Sequence, residues 1–315
     1  MDSERPGMAE RRIRVLWNPT SGRKGGIPTN RASRQTLLEL LPRYGLGDEL
    51  VEPGSEQEAV DAARDAIERG YDIVVAAGGD GTIGLVGRQL LDTRTALGIL
   101  PLGSVMNIPR MLGLPRDLEE AARVLADGHM RPMDVGQVGE HIFYEAGSVG
   151  MHAAATRELP MVDRGDYGAL IRSVVAAVRY RPSVVRIELD GERTIEAKAL
   201  LIAVANGPFM GPGLPVAPEA SLDDGLFDVR VFLHDTKAEL ARDLTSITSG
   251  HRPDERHTLT ERASRVRITS SRPLPVRADA TDMGTTPVVF EIRPRVLTVV
   301  APDRAAPPSG SGRPA

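Results

Sequence analysis

The sequence contains no cysteine, and aromatic residues make up only 3% of its 315 residues. The missing cysteine excludes disulfide bonds, thiolate zinc sites and cysteine nucleophiles. No apolar run reaches the ~20 residues that a membrane-spanning helix needs, and the first residues lack the apolar core of a signal peptide, so a cytoplasmic protein is expected. A net charge of −4 argues against a general nucleic-acid binder, and we expect no nucleic-acid partner.

The chain is long enough for two domains, because single hydrophobic cores stop growing at roughly 250–300 residues. Hydrophobic residues make up 41% of the chain, which suffices for two largely aliphatic cores. The order of elements predicts an α/β domain over residues 12–136 and an antiparallel β-sandwich over residues 137–302. Residues 1–11 and 303–315 are predicted to be disordered.

Strands and helices alternate in the first half of the chain. The predicted elements are strand 13–17, helix 31–44, helix 56–69, strand 73–77, helix 83–91, strand 96–100 and helix 118–127. This β-α-β-α order predicts a parallel sheet between two helical layers, with a ligand beyond the carboxyl ends of its strands. The loops that follow the three strands are therefore expected to converge.

The most informative of these loops is Gly78-Gly79-Asp80-Gly81-Thr82, which follows a wholly apolar strand and precedes a helix. Its glycines let backbone N–H groups approach a ligand, and the start of a helix offers further N–H donors and a positive dipole end. Such a turn suits a phosphate group. Asp80 can then hold a phosphate-bound Mg²⁺ or orient a hydroxyl. The alternative is a plain strand-to-helix turn.

Short β-like segments dominate the second half, with glycine, proline and aspartate between them. Predicted strands include 142–144, 184–189, 199–205, 227–232, 265–269, 288–292 and 296–300. Two helices are predicted, over residues 167–180 and 236–249. The first carries Arg172 and Arg179 beside a strongly apolar face. We expect that face to cover the open side of the sandwich, although such a helix can also rest on an anionic membrane surface.

Several motifs occur in the order found in one family. They are Asn18-Pro-Thr-Ser-Gly-Arg23, Gly78-Gly-Asp-Gly-Thr82, Pro101-Leu-Gly-Ser104, Asp134-Val-Gly136, Ser221-Leu-Asp-Asp-Gly-Leu-Phe-Asp228 and Gly284-Thr-Thr-Pro287. From about Arg12 to Pro302 the chain resembles the diacylglycerol-kinase-like lipid kinases, which include sphingosine and ceramide kinases. Their nucleotide fold is shared with NAD kinases. The resemblance implies an NAD-kinase-like ATP domain, a β-sandwich lipid domain, and transfer of the ATP γ-phosphoryl group to a lipid hydroxyl between them.

The resemblance also implies roles for individual residues. Asp80 and Asp279 match catalytic carboxylates. The positions that match the nucleotide site are Asn18, Ser21, Gly22, Arg23, Gly78, Gly79, Asp80, Gly81, Thr82, Gly103, Ser104 and Asn107. A structural Mg²⁺ is expected at Asp224, with the carbonyls of Ser221 and Leu226 and with Asp134 linked to it. A hairpin turn is the alternative reading of the Asp-Gly pair in this loop.

The chain departs from the family pattern at the expected general base, a glutamate that aligns with Thr281. Threonine cannot take up a proton near neutral pH. If the segment is extended, Asp279 and Thr281 share a face and Asp282 points away. Glu145 and His152 are weaker candidates for a replacement base. The usual asparagine after the Gly-Ser pair is Met106, although a shifted loop places Asn107 in that role.

Three functions compete. The leading hypothesis is an ATP- and Mg²⁺-dependent lipid kinase that meets its lipid substrate at the membrane surface. Such a protein would be cytoplasmic and attached peripherally to the inner face of the membrane. A homodimer is a further expectation. A nucleotide- or lipid-binding pseudokinase is favoured by Thr281. A small-molecule kinase of the NAD-kinase type is opposed by the second-domain motifs. Neither the lipid nor the oligomeric state can be read from the sequence.

Overall fold

The computed structural model describes residues 11–24, 27–28, 30–47, 49–163, 166–251 and 256–303. The chain forms two compact units, one from residues 1–133 together with 295–315 and one from residues 134–294. Most of the two segments predicted to be disordered lies outside the described residues. Within the described part of the chain, no helix is both long and apolar enough to span a membrane.

The first unit is built on a parallel sheet. Its strands are β1 (Ile13–Trp17), β2 (Arg23–Lys24), β3 (Ile27–Pro28), β4 (Leu50–Val51), β5 (Ile73–Gly78) and β6 (Ala96–Pro101). The sheet has the order β4-β1-β5-β6, with parallel pairing throughout, while β2 and β3 form a separate hairpin. β1, β5 and β6 are buried along their whole length, which explains their apolar sequences; the one charged residue, Arg14 of β1, is paired with Glu49 and Asp65.

The helices of the first unit lie between these strands. They are α1 (Arg34–Arg43), α2 (Glu56–Glu68), α3 (Asp80–Gln89), α4 (Asn107–Met111) and α5 (Leu118–Asp127). Ser33, Ser55 and Asp117 cap α1, α2 and α5 by accepting a bond from a first-turn amide. The cap at Ser33 explains why α1 begins at Arg34, three residues later than the sequence predicted.

The second unit is an antiparallel sandwich. Its strands are β7 (His129–Val138, which begins in the first unit), β8 (His141–Phe143), β9 (Ala146–Gly150), β10 (Ser183–Leu189), β11 (Arg193–Ala199), β12 (Leu201–Ala205), β13 (Phe209–Met210), β14 (Leu214–Pro215), β15 (Phe227–Phe232), β16 (Thr258–Ala263), β17 (Arg265–Ser270), β18 (Pro275–Ala278), β19 (Thr281–Thr285) and β20 (Val288–Ala301). One sheet runs β11-β10-β17-β20 and the other β16-β15-β12-β9-β18-β19. Phe143 packs against Phe227 and Phe290 at ring-centre distances of 5.8 and 6.0 Å, which joins strands of the two sheets in one core.

The helices of this unit are α6 (Met151–Thr156), α7 (Leu159–Asp163), α8 (Gly168–Arg179) and α9 (Lys237–Thr248). Thr236 and Glu239 form a reciprocal capping box at the start of α9. The sequence prediction for the apolar face of α8 was wrong. That face does not cover the sandwich, because its large side chains are exposed and its buried residues are Ala169 and Ser173.

Two strands predicted near the end of the chain are one long strand, β20. Its first half pairs with β17 in the second unit, and Val299 pairs with Leu97 of β6 in the first unit. Val300 belongs to the core of the first unit. The chain from Arg295 onward thus differs from the predicted assignment to the sandwich, because alternating apolar residues do not say which sheet a strand joins.

Candidate active site

Three loops follow the carboxyl ends of neighbouring strands in the first unit. Trp17 lies beside Ala77 in the pairing of β1 with β5, and Gly78 lies beside Pro101 in the pairing of β5 with β6. The loops that begin at Asn18, Gly79 and Leu102 therefore start at one edge of the sheet. This is the edge at which parallel α/β sheets bind ligands.

Side chains of the first loop bind the first turn of α3. The Asn18 Nδ2 donates to Thr82 Oγ1 at 3.1 Å, and the Asn18 Oδ1 accepts from the amide of Thr20 at 3.0 Å. Ser21 Oγ accepts from the amide of Gly79 at 3.4 Å. These bonds connect the predicted nucleotide residues Asn18, Ser21 and Thr82 in one network.

Glycine is required in these loops because the backbones are close together. A Cβ on Gly78 would lie 2.5–2.8 Å from the side-chain atoms of Thr82, and one on Gly103 would lie 2.8 Å from the Cα of Gly79. Gly22 has a φ of +79° and is closed in by the backbone of Asn30. Gly81 differs, since a Cβ there meets nothing within 4 Å.

The carboxylate of Asp80 accepts hydrogen bonds from backbone amides. It is the first residue of α3, which therefore starts three residues earlier than predicted. Its Oδ2 accepts from the amide of Asn107 at 3.1 Å and its Oδ1 from that of Ile108 at 3.0 Å, at the start of α4. Burial raises the pKa of Asp80, and these amides together with Arg110 oppose the shift. The carboxylate thus fixes the loop after β6 against the phosphate loop, residues 78–82.

A cavity of about 490 Å³ opens beside this network. Asn18, Thr20 and Thr82 form its polar wall. The other lining residues come from β1, the segment before α2, α2 itself and α3: Leu16, Trp17, Pro19, Glu52, Pro53, Gly54, Ser55, Glu56, Ala59 and Leu85. The volume falls within the range of small-molecule pockets, about 300–1,000 Å³.

The structure brings some predicted nucleotide residues to this cavity and not others. Asn18 and Thr82 line it, and Ser21 contacts Thr82 Oγ1 at 3.5 Å. Asn107 is fully buried at the start of α4, and the carbonyl of Ser104 accepts from Arg116 at 3.0 Å. Arg23 lies in β2, where its side chain is outside the described part of the structure.

The predicted metal loop of the second unit, residues 221–226, is bound to Asp134. Asp134 is fully buried in β7, and its Oδ2 accepts from the amide of Gly225 at 2.7 Å. Its own amide donates to the carbonyl of Leu222 at 2.6 Å. The structure thus connects Asp134 directly to the loop, through hydrogen bonds to backbone groups of Gly225 and Leu222.

Asp224 in this loop is neutralised by an arginine. Arg262 of β16 forms an ion pair with the Asp224 carboxylate, and its Nε lies 3.9 Å from Asp228. Burial raises the pKa of Asp228, and Arg262 opposes that shift. Oxygen donors here suit a hard cation, but Asp224, the predicted ligand, already has a positive partner, and Asp223 accepts a hydrogen bond from Ser221. No group of three acidic, histidine or cysteine side chains in the described residues could hold a metal ion.

The carboxylate of Asp279 fixes the backbone between β8 and β9 through hydrogen bonds. Its carboxylate accepts from the amides of Tyr144, Glu145 and Ala146 at 2.8, 2.9 and 3.2 Å. Its own amide donates to the carbonyl of Ala146 at 3.1 Å. This geometry gives Asp279 a positioning role, whereas the resemblance implied a catalytic one.

The segment around Thr281 is a tight turn, so the prediction of an extended segment was wrong. Ala278 pairs with Thr281, and Asp279 has a φ of +47°. Aspartate tolerates this left-handed conformation, and three amide bonds hold it there. Thr281 is exposed. Asp282 forms an ion pair with Arg157 at 2.7 Å.

The other two candidate bases are more buried. Glu145 is 8% exposed and lies beside Asp279 through its amide. His152 Nδ1 lies 3.0 Å from Ser148 Oγ, and its Nε2 is buried, although the residue as a whole is partly exposed. Burial, reinforced by the charge of Arg277, lowers the pKa of His152 to about 4. A neutral ring with so low a pKa is a poor base at neutral pH.

Sequence reasoning missed Asn206 and Arg262. The Nδ2 of Asn206 donates to the carbonyls of Asp134 and Tyr144 at 3.1 and 2.8 Å, which joins the metal-loop side to the Asp279 side of the unit. Asn206 ends an apolar strand, as Asn18 does, and that signal could have found it. Arg262 is one of several polar residues on β16, and the local sequence does not mark it as a functional residue.

Comparison with known proteins gives matches over nearly the whole chain. Residues 12–138 match the diacylglycerol kinase catalytic domain, and residues 147–301 match the YegS C-terminal NAD kinase beta sandwich-like domain. A diacylglycerol kinase from Bacillus subtilis is 30% identical over 94% of this chain and 98% of its own length. One from Staphylococcus aureus is 27% identical over 93% of each chain.

Solved structures agree on the fold. A diacylglycerol kinase from Bacillus anthracis has a TM-score of 0.71 at 20% identity, over 93% of this chain and 97% of its own. An NAD kinase from Archaeoglobus fulgidus in complex with ATP has a TM-score of 0.50 at 13% identity, over 93% and 94%. These confirm an NAD-kinase-like α/β domain followed by a β-sandwich. With its matching domains and relatives, the chain belongs to the diacylglycerol-kinase family of lipid kinases.

Proposed function

We propose that this chain is an ATP-dependent kinase that transfers the γ-phosphoryl group to the hydroxyl of diacylglycerol or a related lipid. The observation that carries the proposal is the cavity of the first unit, which combines a suitable volume with a polar wall at Asn18 and Thr82. The curated relatives named diacylglycerol kinase supply the reaction class.

The lining residues suggest an orientation for ATP. The phosphates belong beside the phosphate loop, where backbone N–H groups and the start of α3 favour negative charge. Glu52 and Glu56 come to the lining from the segment before α2 and from its first turn, and their carboxylates would repel phosphate but could accept hydrogen bonds from ribose hydroxyls. Ala59 and Leu85 offer an apolar surface to the base.

The transfer forms a bond between the lipid oxygen and the γ-phosphorus and breaks the bond from that phosphorus to the bridging oxygen, releasing ADP. The hydroxyl proton goes to water, because Thr281 cannot accept it. Phosphoryl transfer depends mainly on alignment and charge neutralisation, so this chemistry proceeds without a positioned base, at a reduced rate.

Mg²⁺ belongs to the proposal as the ion that neutralises the ATP phosphates. A second, structural cation would be held by Asp224 with the carbonyls of Ser221 and Leu226, in competition with Arg262. Arg262→Gln should therefore raise the affinity for Mg²⁺, and Asp224→Ala should abolish that gain. Isothermal titration of the nucleotide-free protein with MgCl₂ measures both. Equal binding by the wild type and the two variants would contradict the cation site.

A pseudokinase is the second candidate function. The observation in its favour is the pair Thr281 and Asp279, since the first has no usable proton acceptor and the second is held by three amides. Such a protein would bind ATP in the same cavity and transfer nothing.

The deciding experiment offers γ-labelled ATP·Mg²⁺ and dioctanoylglycerol in detergent micelles to the purified protein, with NAD as a competing acceptor. We expect label in the lipid, none in NAD, and none in the lipid when Thr82 is changed to Val. ATP binding without transfer identifies the pseudokinase, and label in NAD alone identifies the small-molecule kinase.

A further inference from the structure

Helix α8 turns its large apolar side chains towards solvent. Ile171, Val174 and Val178 are 69%, 62% and 63% exposed. The docking face, as we call this surface, consists of Tyr167, Leu170, Ile171, Val174, Val175 and Val178. These residues recur at helical spacing, so they form one continuous stripe on one side of the helix.

The opposite side of α8 is built from small residues. Ala169 and Ser173 are its buried positions, and the helix packs there on α6 and α7. In a helix that stabilises its own fold, the large apolar side chains form the buried stripe. Here the order is reversed, and an exposed apolar stripe of this kind marks a surface for interaction with another molecule or a membrane.

Basic residues gather at the C-terminal end of this helix. Arg179 ends α8, Arg181 follows two residues later, and Arg272 donates to the carbonyl of Arg181 at 2.8 Å. The Lys237 ammonium donates to the carbonyl of Val178. Within the described residues, these three arginines form no ion pair with a carboxylate, whereas Arg172 on the same helix is paired with Asp166 and Glu158.

We propose that the docking face binds the surface of a bilayer that contains anionic lipids. The apolar stripe would lie among the acyl chains near the headgroups, and Arg179, Arg181, Arg272 and Lys237 would contact the lipid phosphates. The basic residues at the end of the helix favour an anionic bilayer over other partners, because guanidinium groups without a carboxylate partner complement an anionic surface. The inference rests on the proposed function in one respect: a diacylglycerol substrate lies in such a bilayer.

Vesicle binding tests the apolar part. The full-length protein is mixed, without nucleotide, with vesicles of phosphatidylcholine containing phosphatidylglycerol, and the bound fraction is measured by sedimentation. Ile171→Gln combined with Val174→Gln should weaken binding by about tenfold per side chain. Leu38→Gln is the matched control, because Leu38 is an exposed apolar residue on α1, outside the docking face. Equal vesicle binding by the wild type and the double variant would overturn the proposal.

The charges are tested separately. Arg179→Gln with Arg181→Gln should weaken binding to the anionic vesicles by roughly fivefold per residue, with no change on phosphatidylcholine alone. Added salt should reduce the same difference. Arg64→Gln, an exposed arginine of α2, should change neither. A wild type that binds both kinds of vesicle equally would refute the anionic selection.

Two readouts separate this proposal from the kinase proposal. The Ile171→Gln/Val174→Gln variant should phosphorylate dioctanoylglycerol in detergent micelles like the wild type and lose activity only on vesicles. Vesicle binding without any phosphoryl transfer would contradict the kinase proposal and support the docking face. If sedimentation velocity shows a wild-type dimer that the double variant loses, and vesicles are not bound, the occupant is a second copy and the bilayer proposal fails.

Discussion

The loop of residues 78–82 in the first unit and the loops around Asp134 and Asp279 in the second unit both bind backbone amides through aspartates, but they differ in what surrounds them. In the first, glycines allow neighbouring loops to approach closely, and Asn18 and Thr82 line a cavity. In the second, the carboxylates of Asp134 and Asp279 are bound to backbone amides of their own unit. The first region thus combines an aspartate held by amides with an adjoining cavity, whereas in the second region the carboxylates hold the loops of the unit together.

The two regions would need different features in a kinase reaction. A phosphate site made of backbone amides needs only the correct chain path, which glycines provide. An acceptor site works faster with a side chain that takes a proton, and at position 281 the chain has a threonine. We therefore expect that binding of ATP and transfer of phosphate can be separated by mutations in the two regions.

The largest effect is expected from restoring a carboxylate at the turn. Thr281→Glu should raise the rate of lipid phosphorylation by ~10²–10⁴-fold, the usual contribution of a positioned base. Thr281 is exposed at the start of β19, so the longer side chain fits without a clash. Single-turnover transfer to dispersed diacylglycerol is the measurement, and Thr285→Glu at the other end of β19 is the control.

A fast wild type that gains nothing from Thr281→Glu would show that another group accepts the proton, with Glu145 the next to be changed. Absence of transfer in both proteins, despite ATP binding, would favour the pseudokinase. Either result would show that the missing base at position 281 does not limit the transfer.

The second effect concerns the phosphate loop. Gly78→Ala places a methyl group 2.5–2.8 Å from Thr82, which must move and so lose its bond from Asn18. We expect ATP affinity to fall by about 10²-fold, since displacement of a close-packed turn typically costs about 1–3 kcal/mol. Trp17, the one tryptophan of the chain, lines the cavity and reports binding through its fluorescence.

Gly81→Ala is the matched control in the same loop. A Cβ at position 81 meets nothing within 4 Å, and alanine favours the helix that begins there. If both alanine variants bind ATP equally, close backbone packing does not determine the site, and the contrast between the two regions disappears.

The sequence predicted the first region better than the second for a physical reason. Buried parallel strands have largely apolar sequences, and turn residues such as glycine, proline and asparagine mark their ends, so the strands from Ile13, Ile73 and Ala96 were all placed at their first residue. The partner of a carboxylate has no such local signal. Nothing near Asp80 indicated that it would bind the amides at the start of α4.

The same limit explains the errors in the second unit. The turn at Asp279 depends on amides more than 130 positions away in the chain, and the pairing of Asp224 with Arg262 depends on the register of β15 with β16. The apolar residues of α8 showed a helix with one apolar side, but periodicity does not say whether that side meets the core or the outside.

The third effect tests whether Asp279 stabilises the fold by binding the backbone between β8 and β9. Asp279→Ala leaves three amides of residues 144–146 without their acceptor, which should lower the free energy of unfolding by about 2–3 kcal/mol. Asp282→Ala, which removes an exposed ion pair with Arg157, should cost less than about 1 kcal/mol. Urea denaturation measures both. A catalytic Asp279 without a structural role would give a stable, inactive variant instead.

The smallest effect concerns pH and His152. Its pKa is about 4 in the folded protein and 6.5 ordinarily, so the unfolded chain binds the proton more readily. The contribution of this residue to stability is therefore intact above about pH 6.5 and is lost as the pH falls towards 4, by about 2 kcal/mol at pH 5. His152→Gln, which can still bond Ser148, should flatten that part of the stability curve. The exposed His251→Gln variant should retain the wild-type slope, and equal slopes in all three proteins would show that the His152 ring is protonated normally in the fold.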